Sequence, residues 1–194
     1  MADGSGELLT RLPDTFRYSE AVGLIGERQL RRLIAEGRAV ALARGLYRKS
    51  DWHGDADLVE VGSKSALATI CLGSALARHG LIDDIGAALD LALPRGSWTP
   101  AITFAVRWHH FDAATFEVGR QLVAVDGGGR IGLYSAERSV IDAFRLRHLE
   151  GADMAIEAVK RWLRGGGQPS VLLAMATAFP QAQVPLRQAL EVLL

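Results

Sequence analysis

The segment TFRYSEAVGLIGERQLRRLIAEGRAVALARGLYRK, running from Thr15 to Lys49, decides how the chain is read. From Glu27 to Ala35 its apolar positions follow a helical period, with Leu30, Leu33 and Ile34 on one face and Gly37 placed where a left-handed cap ends the helix. Arg28, Arg31 and Arg32, at i, i+3 and i+4, share the opposite face. Upstream, Ser19 and Glu20 open a shorter helix through Val22, which Gly23 is expected to break, with Leu24 and Ile25 filling the apolar side of the turn. Ala21, Val22, Leu24, Leu30, Leu33 and Ile34 then close a small core. Downstream, Ala39 to Leu42 reads as a strand, Arg44-Gly45 as a tight turn and Leu46 to Arg48 as the returning strand. This order predicts a winged helix-turn-helix.

Such a helix buries one side and lays the other in a DNA major groove, while an arginine at the hairpin tip meets a phosphate or the minor groove. The candidate DNA-binding residues are Arg28, Arg31, Arg32, Arg44 and Arg48. An arginine-rich amphipathic helix is more often a plain solvated face. Turn, cap and wing in the right order favour DNA over that bland reading.

Formal net charge is zero over the 194 residues, which taken alone argues against a nucleic-acid protein. The zero hides a partition. Between Arg11 and Lys49 nine basic residues face four acidic ones, a balance of plus five that the remainder must cancel. Charge asymmetry of this kind suggests a polyanion-binding part joined to a part with a different partner. At plus five, the small unit is expected to need a second copy on adjacent half-sites, a homodimer on DNA, to become specific. With 49% hydrophobic residues, no run of the roughly 18 to 20 apolar residues a span needs, and no signal-peptide pattern, the chain is expected to be cytoplasmic with no membrane role. The single cysteine, Cys71, agrees with a reducing compartment.

Working outward, Met1 to Gly6 is polar, and Glu7 to Leu12 reads as a short helix ended by Pro13. Asp51 to Asp57 reads as a linker, which divides the chain into 1–50, a 51–57 linker and 58–194. In the larger part an alanine- and leucine-rich helix is expected from Ser65 to His79, stopped by Gly80. Strands are expected at Ala88–Leu93, Val106–Phe111, Gln121–Asp126 and Arg130–Tyr134, the last two joined across Gly127-Gly128-Gly129. Helices follow at Ala136–His148, capped by Ser135, then at Ala152–Arg164 and Ser170–Ala178, with Pro185 opening the last. The fold class is therefore α+β: a winged helix-turn-helix, then a mixed domain with a small, mainly antiparallel sheet of about four strands and C-terminal helices.

Gly127, Gly129 and Gly132 match G-x-G-x-x-G literally, but a dinucleotide site needs that run between a strand and a helix, and here it bridges two strands. A kinase-type phosphate cover has that geometry, yet no V-A-I-K, H-R-D or D-F-G accompanies it. A glycine-relaxed hairpin is the simpler reading. Adjacent His109 and His110 on one strand point to opposite faces, and neither His53, His79 nor His148 supplies a zinc spacing, so no metal and no cofactor is assigned. No G-x-S-x-G elbow appears, and no catalytic residue is named. Arg78, Arg95, Arg107, Arg120, Arg138, Arg145 and Arg147 remain as candidates for a surface that meets a protein or nucleotide. Arg138 and Asp142 read most simply as an intrahelical pair, worth a few tenths of a kcal/mol, about 0.3.

The run L-x-R-L-I-x-x-G from Leu30 to Gly37, followed by Arg44-Gly45-Leu46-Tyr47, resembles the N-terminal winged helix of the AbiEi family of antitoxins. The likeness continues through Ser74-Ala75-Leu76-Ala77-Arg78-His79-Gly80-Leu81, Leu93-Pro94-Arg95-Gly96, Thr115-Phe116-Glu117-Val118-Gly119 and the stretch from Tyr134 to Arg145, so it covers nearly the whole chain. It implies an antitoxin and autoregulating repressor of a type IV-like toxin–antitoxin system, whose winged helix binds operator DNA. The implied partner is a nucleotidyltransferase-like toxin of the AbiEii/MenT type, neutralised through the C-terminal domain. Two other readings stand beside it: an enzymatic antitoxin that phosphorylates the toxin, for which alone ATP and Mg would be required, and a plain transcriptional repressor. From the short arm ahead of the first helix, no extra DNA-contacting extension is expected.

Overall fold

A computed structural model of the chain describes residues 4–84 and 86–194. Contacts divide it into two units. The first comprises Met1–Ala66 with Pro100–Thr103 and Val123–Ile131; the second comprises Leu67–Thr99, Phe104–Leu122 and Gly132–Leu194.

The first unit contains α1 (Gly4–Thr10), β1 (Thr15–Arg17), α2 (Tyr18–Ile25), α3 (Glu27–Ala35), β2 (Ala39–Ala43), β3 (Leu46–Lys49) and α4 (Ala56–Lys64). α2 runs straight through Gly23 and stops at Gly26, whose φ of 82° suits only glycine and whose N–H bonds the Val22 carbonyl at 2.9 Å. The expected break was therefore three residues early, and it is Gly26 that turns the chain into α3. α3 ends as expected. Gly37, at φ 69°, bonds back to the Ile34 carbonyl at 3.0 Å, and Arg38 bonds to Leu33 at 2.9 Å, the two closing bonds of a Schellman motif. Leu9, Leu12, Phe16, Ala21, Ile25, Leu30, Leu33 and Ala39 make the buried core. Leu24, expected inside, is 41% exposed, and Ile25 takes the buried place.

Strands β1, β3 and β2 form an antiparallel sheet in that order, with Phe16 and Ala41 both opposite Tyr47. β1 was not expected; at three residues it is too short to show alternation. Its first residue is held by the glycine loop, since the N–H of Thr15 bonds the Gly127 carbonyl at 3.1 Å and its hydroxyl donates to the same oxygen at 2.8 Å. Trp52 is buried beneath that loop, and a Cβ at Gly127 would lie 2.6 Å from its ring. Gly127 is thus a close-approach position, whereas Gly128 and Gly129 are called for by their positive φ of 121° and 88°. α4, also unexpected, begins where Asp55 accepts the Leu58 N–H at 3.0 Å, a side-chain N-cap worth about 1 kcal/mol.

The second unit contains β4 (Thr69–Ile70), α5 (Leu72–Arg78), β5 (Leu89–Pro94), β6 (Val106–Phe111), most of β7 (Arg120–Ala124) and β8 (Arg130–Tyr134), and then α6 (Ala136–Arg145), α7 (Arg147–Glu150), α8 (Ala152–Arg164), α9 (Pro169–Ala176) and α10 (Pro180–Leu193). The five-stranded sheet has the order β6-β5-β4-β8-β7. It is mixed, not mainly antiparallel: β4 and β5 are antiparallel, whereas β4–β8 and β5–β6 are parallel. The reason is β4. The single helix expected over Ser65–His79 is interrupted by this buried two-residue strand, and α5 starts only at Leu72, a residue at φ 43°. An alanine- and leucine-rich stretch carries no signal that separates a buried strand from a buried helix.

Helices α5, α6, α8, α9 and α10 pack around Leu76, Ile141, Phe144, Val159, Trp162, Leu172, Phe179 and Leu186. Truncating a buried leucine of this kind costs about 2 to 5 kcal/mol. Ser135 caps α6 as expected, accepting the Arg138 N–H at 3.3 Å. Pro185 does not open the last helix. That role falls to Pro180, and Pro185 lies inside α10, in its second turn.

Candidate nucleic-acid interface

α3 carries the contrast on which the candidate interface rests. Leu30 and Leu33 are fully buried, while Arg28, Arg31 and Arg32 are exposed on the other side. Arg31 donates to Glu27 at 2.7 Å and Arg32 to Glu36 at 2.7 Å, both one helical turn away. Tyr18 at the start of α2 donates its hydroxyl to Glu27 at 3.1 Å, and Ser5 donates to Glu36 at 2.8 Å. For Arg28 and Arg44, both exposed, no side-chain partner is recorded among the described residues. Arg44 stands next to Gly45, whose φ of 74° turns the β2–β3 hairpin.

Arg48 is placed differently. Its Nη1 donates to the carbonyls of Lys49 (3.1 Å), Ser50 (3.1 Å) and Trp52 (3.0 Å), so it holds the chain leaving β3. Other cations counted in the basic segment are also engaged within the unit. Arg11 donates to the Leu24 carbonyl at 2.7 Å, Arg17 to the Ser63 carbonyl, and Lys49 to Asp14 at 3.1 Å. The plus five therefore reduces to a smaller outward set: Arg28 and Arg44, with Arg31 and Arg32 in exposed pairs that are each worth about 0.3 to 0.5 kcal/mol. Pairs so weak exchange readily for phosphate.

In the second unit the structure sorts the seven arginines by burial. Arg138 and Asp142 are both fully buried and 2.9 Å apart. Arg138 Nη1 also donates to the Thr115 (2.7 Å) and Val118 (2.6 Å) carbonyls, and its guanidinium lies over Tyr134 at 4.2 Å and Phe179 at 4.3 Å. Its Nη2 has no hydrogen-bond partner among the described residues. Arg145 Nε reaches the second Asp142 oxygen at 3.1 Å and stacks over Phe111 at 4.5 Å. Its Nη2 is 2.9 Å from the same oxygen but poorly aligned, a charge contact without a hydrogen bond. Burial pushes the Asp142 carboxyl up, against the pull of both guanidiniums. The intrahelical surface pair expected here is a core element.

A second buried carboxylate, Asp90 on β5, accepts from Arg107 Nε at 2.6 Å and from His109 at 3.0 Å, while Arg107 also reaches Glu150 at 2.8 Å. Burial works to raise the Asp90 carboxyl, but the hydrogen bonds from His109 and Arg107 outweigh it and hold it below the usual carboxylate range. His110, on the other face of β6, is exposed and meets Thr99 at 3.3 Å. Arg120 donates to Thr69 at 2.8 Å. Arg78, Arg95 and Arg147 are exposed. Among the described residues no group of three or more His, Cys, Asp or Glu side chains could hold a metal ion, and no helix is long and apolar enough to cross a membrane. The glutamates that pair with the α3 arginines, and the tyrosine behind one of them, were not singled out in the sequence, although the i, i+4 spacing of Glu27 with Arg31 was visible there.

No family model matches the chain, and neither does any curated protein. A solved structure does. The fold is similar to that of the Rv2827c protein from Mycobacterium tuberculosis, with a TM-score of 0.53 at 15% identity over 97% of this chain and 78% of that one. At that identity the likeness concerns the fold alone.

Proposed function

We propose that the N-terminal elements form a winged helix-turn-helix that binds operator DNA, and that the chain is an AbiEi-like antitoxin that represses its own operon. The observation that carries the DNA reading is the division of α3, with Leu30 and Leu33 fully buried and Arg28, Arg31 and Arg32 exposed opposite them, followed by a hairpin with exposed Arg44 at its turn. Arg28 and Arg44 meet phosphates. Two copies on neighbouring half-sites supply the specificity that one small unit lacks. The antitoxin part rests on the sequence resemblance: the second unit acts against a nucleotidyltransferase-like toxin encoded beside it, in the cytoplasm.

The test is a titration of the full chain with duplex DNA from upstream of its own gene, over a range of salt. Arg28→Ala with Arg44→Ala is expected to weaken binding by about tenfold or more and to flatten the salt slope by about 0.9 for each contact removed. Unchanged affinity and slope would remove the DNA reading. Separately, co-expression with the neighbouring toxin gene is expected to restore growth; failure to protect would leave a repressor without antitoxin activity.

A further inference from the structure

The two guanidiniums nearest the start of α3 are held in different ways. Arg28 has no recorded side-chain partner among the described residues. Arg31 is fixed through Nη2 to Glu27 Oε1 at 2.7 Å, and that same oxygen accepts the Tyr18 hydroxyl at 3.1 Å. Tyr18 is half-buried and packs against the core of the unit, with its ring 6.1 Å from that of Tyr47. Arg31 is thus braced from the body of the unit through a two-membered strut, while 71% of its side chain remains open to solvent.

A phosphate contact does not need such a brace. A mobile arginine finds a phosphate oxygen from many directions and carries no sequence information. A base contact is different, because the bidentate approach of a guanidinium to guanine O6 and N7 requires a fixed plane in the major groove. The strut also has a cost on DNA, since it places a carboxylate on the face that meets a polyanion. A carboxylate there lowers affinity for every duplex alike, and it is repaid only through discrimination between duplexes.

We propose that Arg31 is the specificity-determining residue of α3, reading a guanine in the major groove. Glu27 and Tyr18 are its positioning residues, and Arg28 is a phosphate contact. The inference rests on the DNA-binding reading above. The pair Arg32–Glu36 is also braced, by the Ser5 hydroxyl of α1, but its carboxylate lies at the far end of the helix from Glu27. A merely structural role for Glu27, as an acidic residue favoured at a helix N-terminus, predicts an effect on stability and none on sequence preference.

The experiment is selection from a pool of duplexes with a random 20-base-pair centre, a length of about two helical turns, followed by titration of the selected duplex and of unselected pool. The proposal expects the full chain to enrich a motif containing guanine and Arg31→Ala to lose the preference at that position by about tenfold. Glu27→Gln should lower the ratio of selected to unselected affinity several-fold while binding unselected DNA as well as before or better. Tyr18→Phe, which keeps every charge, should do the same more weakly. If Glu27→Gln enriches the same motif with the same ratio, or lowers both affinities equally together with the melting temperature, the strut is overturned while DNA binding stands. Failure of the unaltered chain to bind any duplex at low salt would instead remove the underlying reading, and the inference with it.

Discussion

Glu27–Arg31 and Arg138–Asp142 are the same motif in the sequence, a carboxylate and an arginine one helical turn apart. In the first, 53% and 71% of the two side chains are exposed; in the second, neither is exposed at all. Water screens the first pair to a few tenths of a kcal/mol, about 0.3 to 0.5. The second stands where an unpaired charge has no solvent to fall back on, so it persists only because two carbonyls, two aromatic faces and a second arginine complete its shell. Spacing alone says nothing of this difference. What separates the pairs is what the rest of the chain brings to them.

The sharpest way to break the comparison is Arg138→Ala. It leaves Asp142 buried with one partner and opens a void between Tyr134 and Phe179, and it is expected to cost about 3 to 5 kcal/mol in chemical denaturation. A cost below about 1 kcal/mol would place the pair with the surface one. An intermediate effect is expected from Asp90→Asn. Because the Asp90 carboxyl is depressed in the folded chain, its contribution is complete above the unfolded carboxylate range and is lost as pH falls through the folded value. The unaltered chain should therefore lose stability on acidification below about pH 4 more steeply than the variant does, and parallel acid limbs would contradict the geometry. The smallest effect belongs to Arg31→Ala, which should move the melting midpoint by no more than about 0.5 kcal/mol corresponds to, even as it alters binding to DNA.

α3, its glycine cap and the β2–β3 hairpin were legible in the sequence because each has a local signature: a 3.6 period, a left-handed terminator, an Arg-Gly turn. The glycine that ends α2 was misplaced because Gly23 and Gly26 look alike in sequence, and only the second is asked for a positive φ. β1 and β4 were hidden for a different reason. Three and two residues long, they owe their extended state to partners far along the chain, Tyr47 for Phe16 and Leu133 for Ile70. Of the candidate site residues, exposure could be read from periodicity for Arg28, Arg31 and Arg32. The inward turn of Arg48 could not, since its acceptors are backbone carbonyls. The burial of Arg138 was equally unreadable from i, i+4 spacing, which surface and core helices share.

The hydrogen bonds from Thr15 to Gly127 join residues 112 positions apart, and both belong to the first unit. That unit is therefore discontinuous along the chain. As the polypeptide is synthesised, its helices and hairpin emerge early, but Trp52 stays uncovered and Thr15, at the start of β1, lacks its bonds to Gly127 until the glycine loop follows. Contacts of such separation are slow to close and leave apolar surface exposed meanwhile. A fragment ending at Ala66 would keep every exposed arginine of α3 and the hairpin and still lack the loop that completes their support.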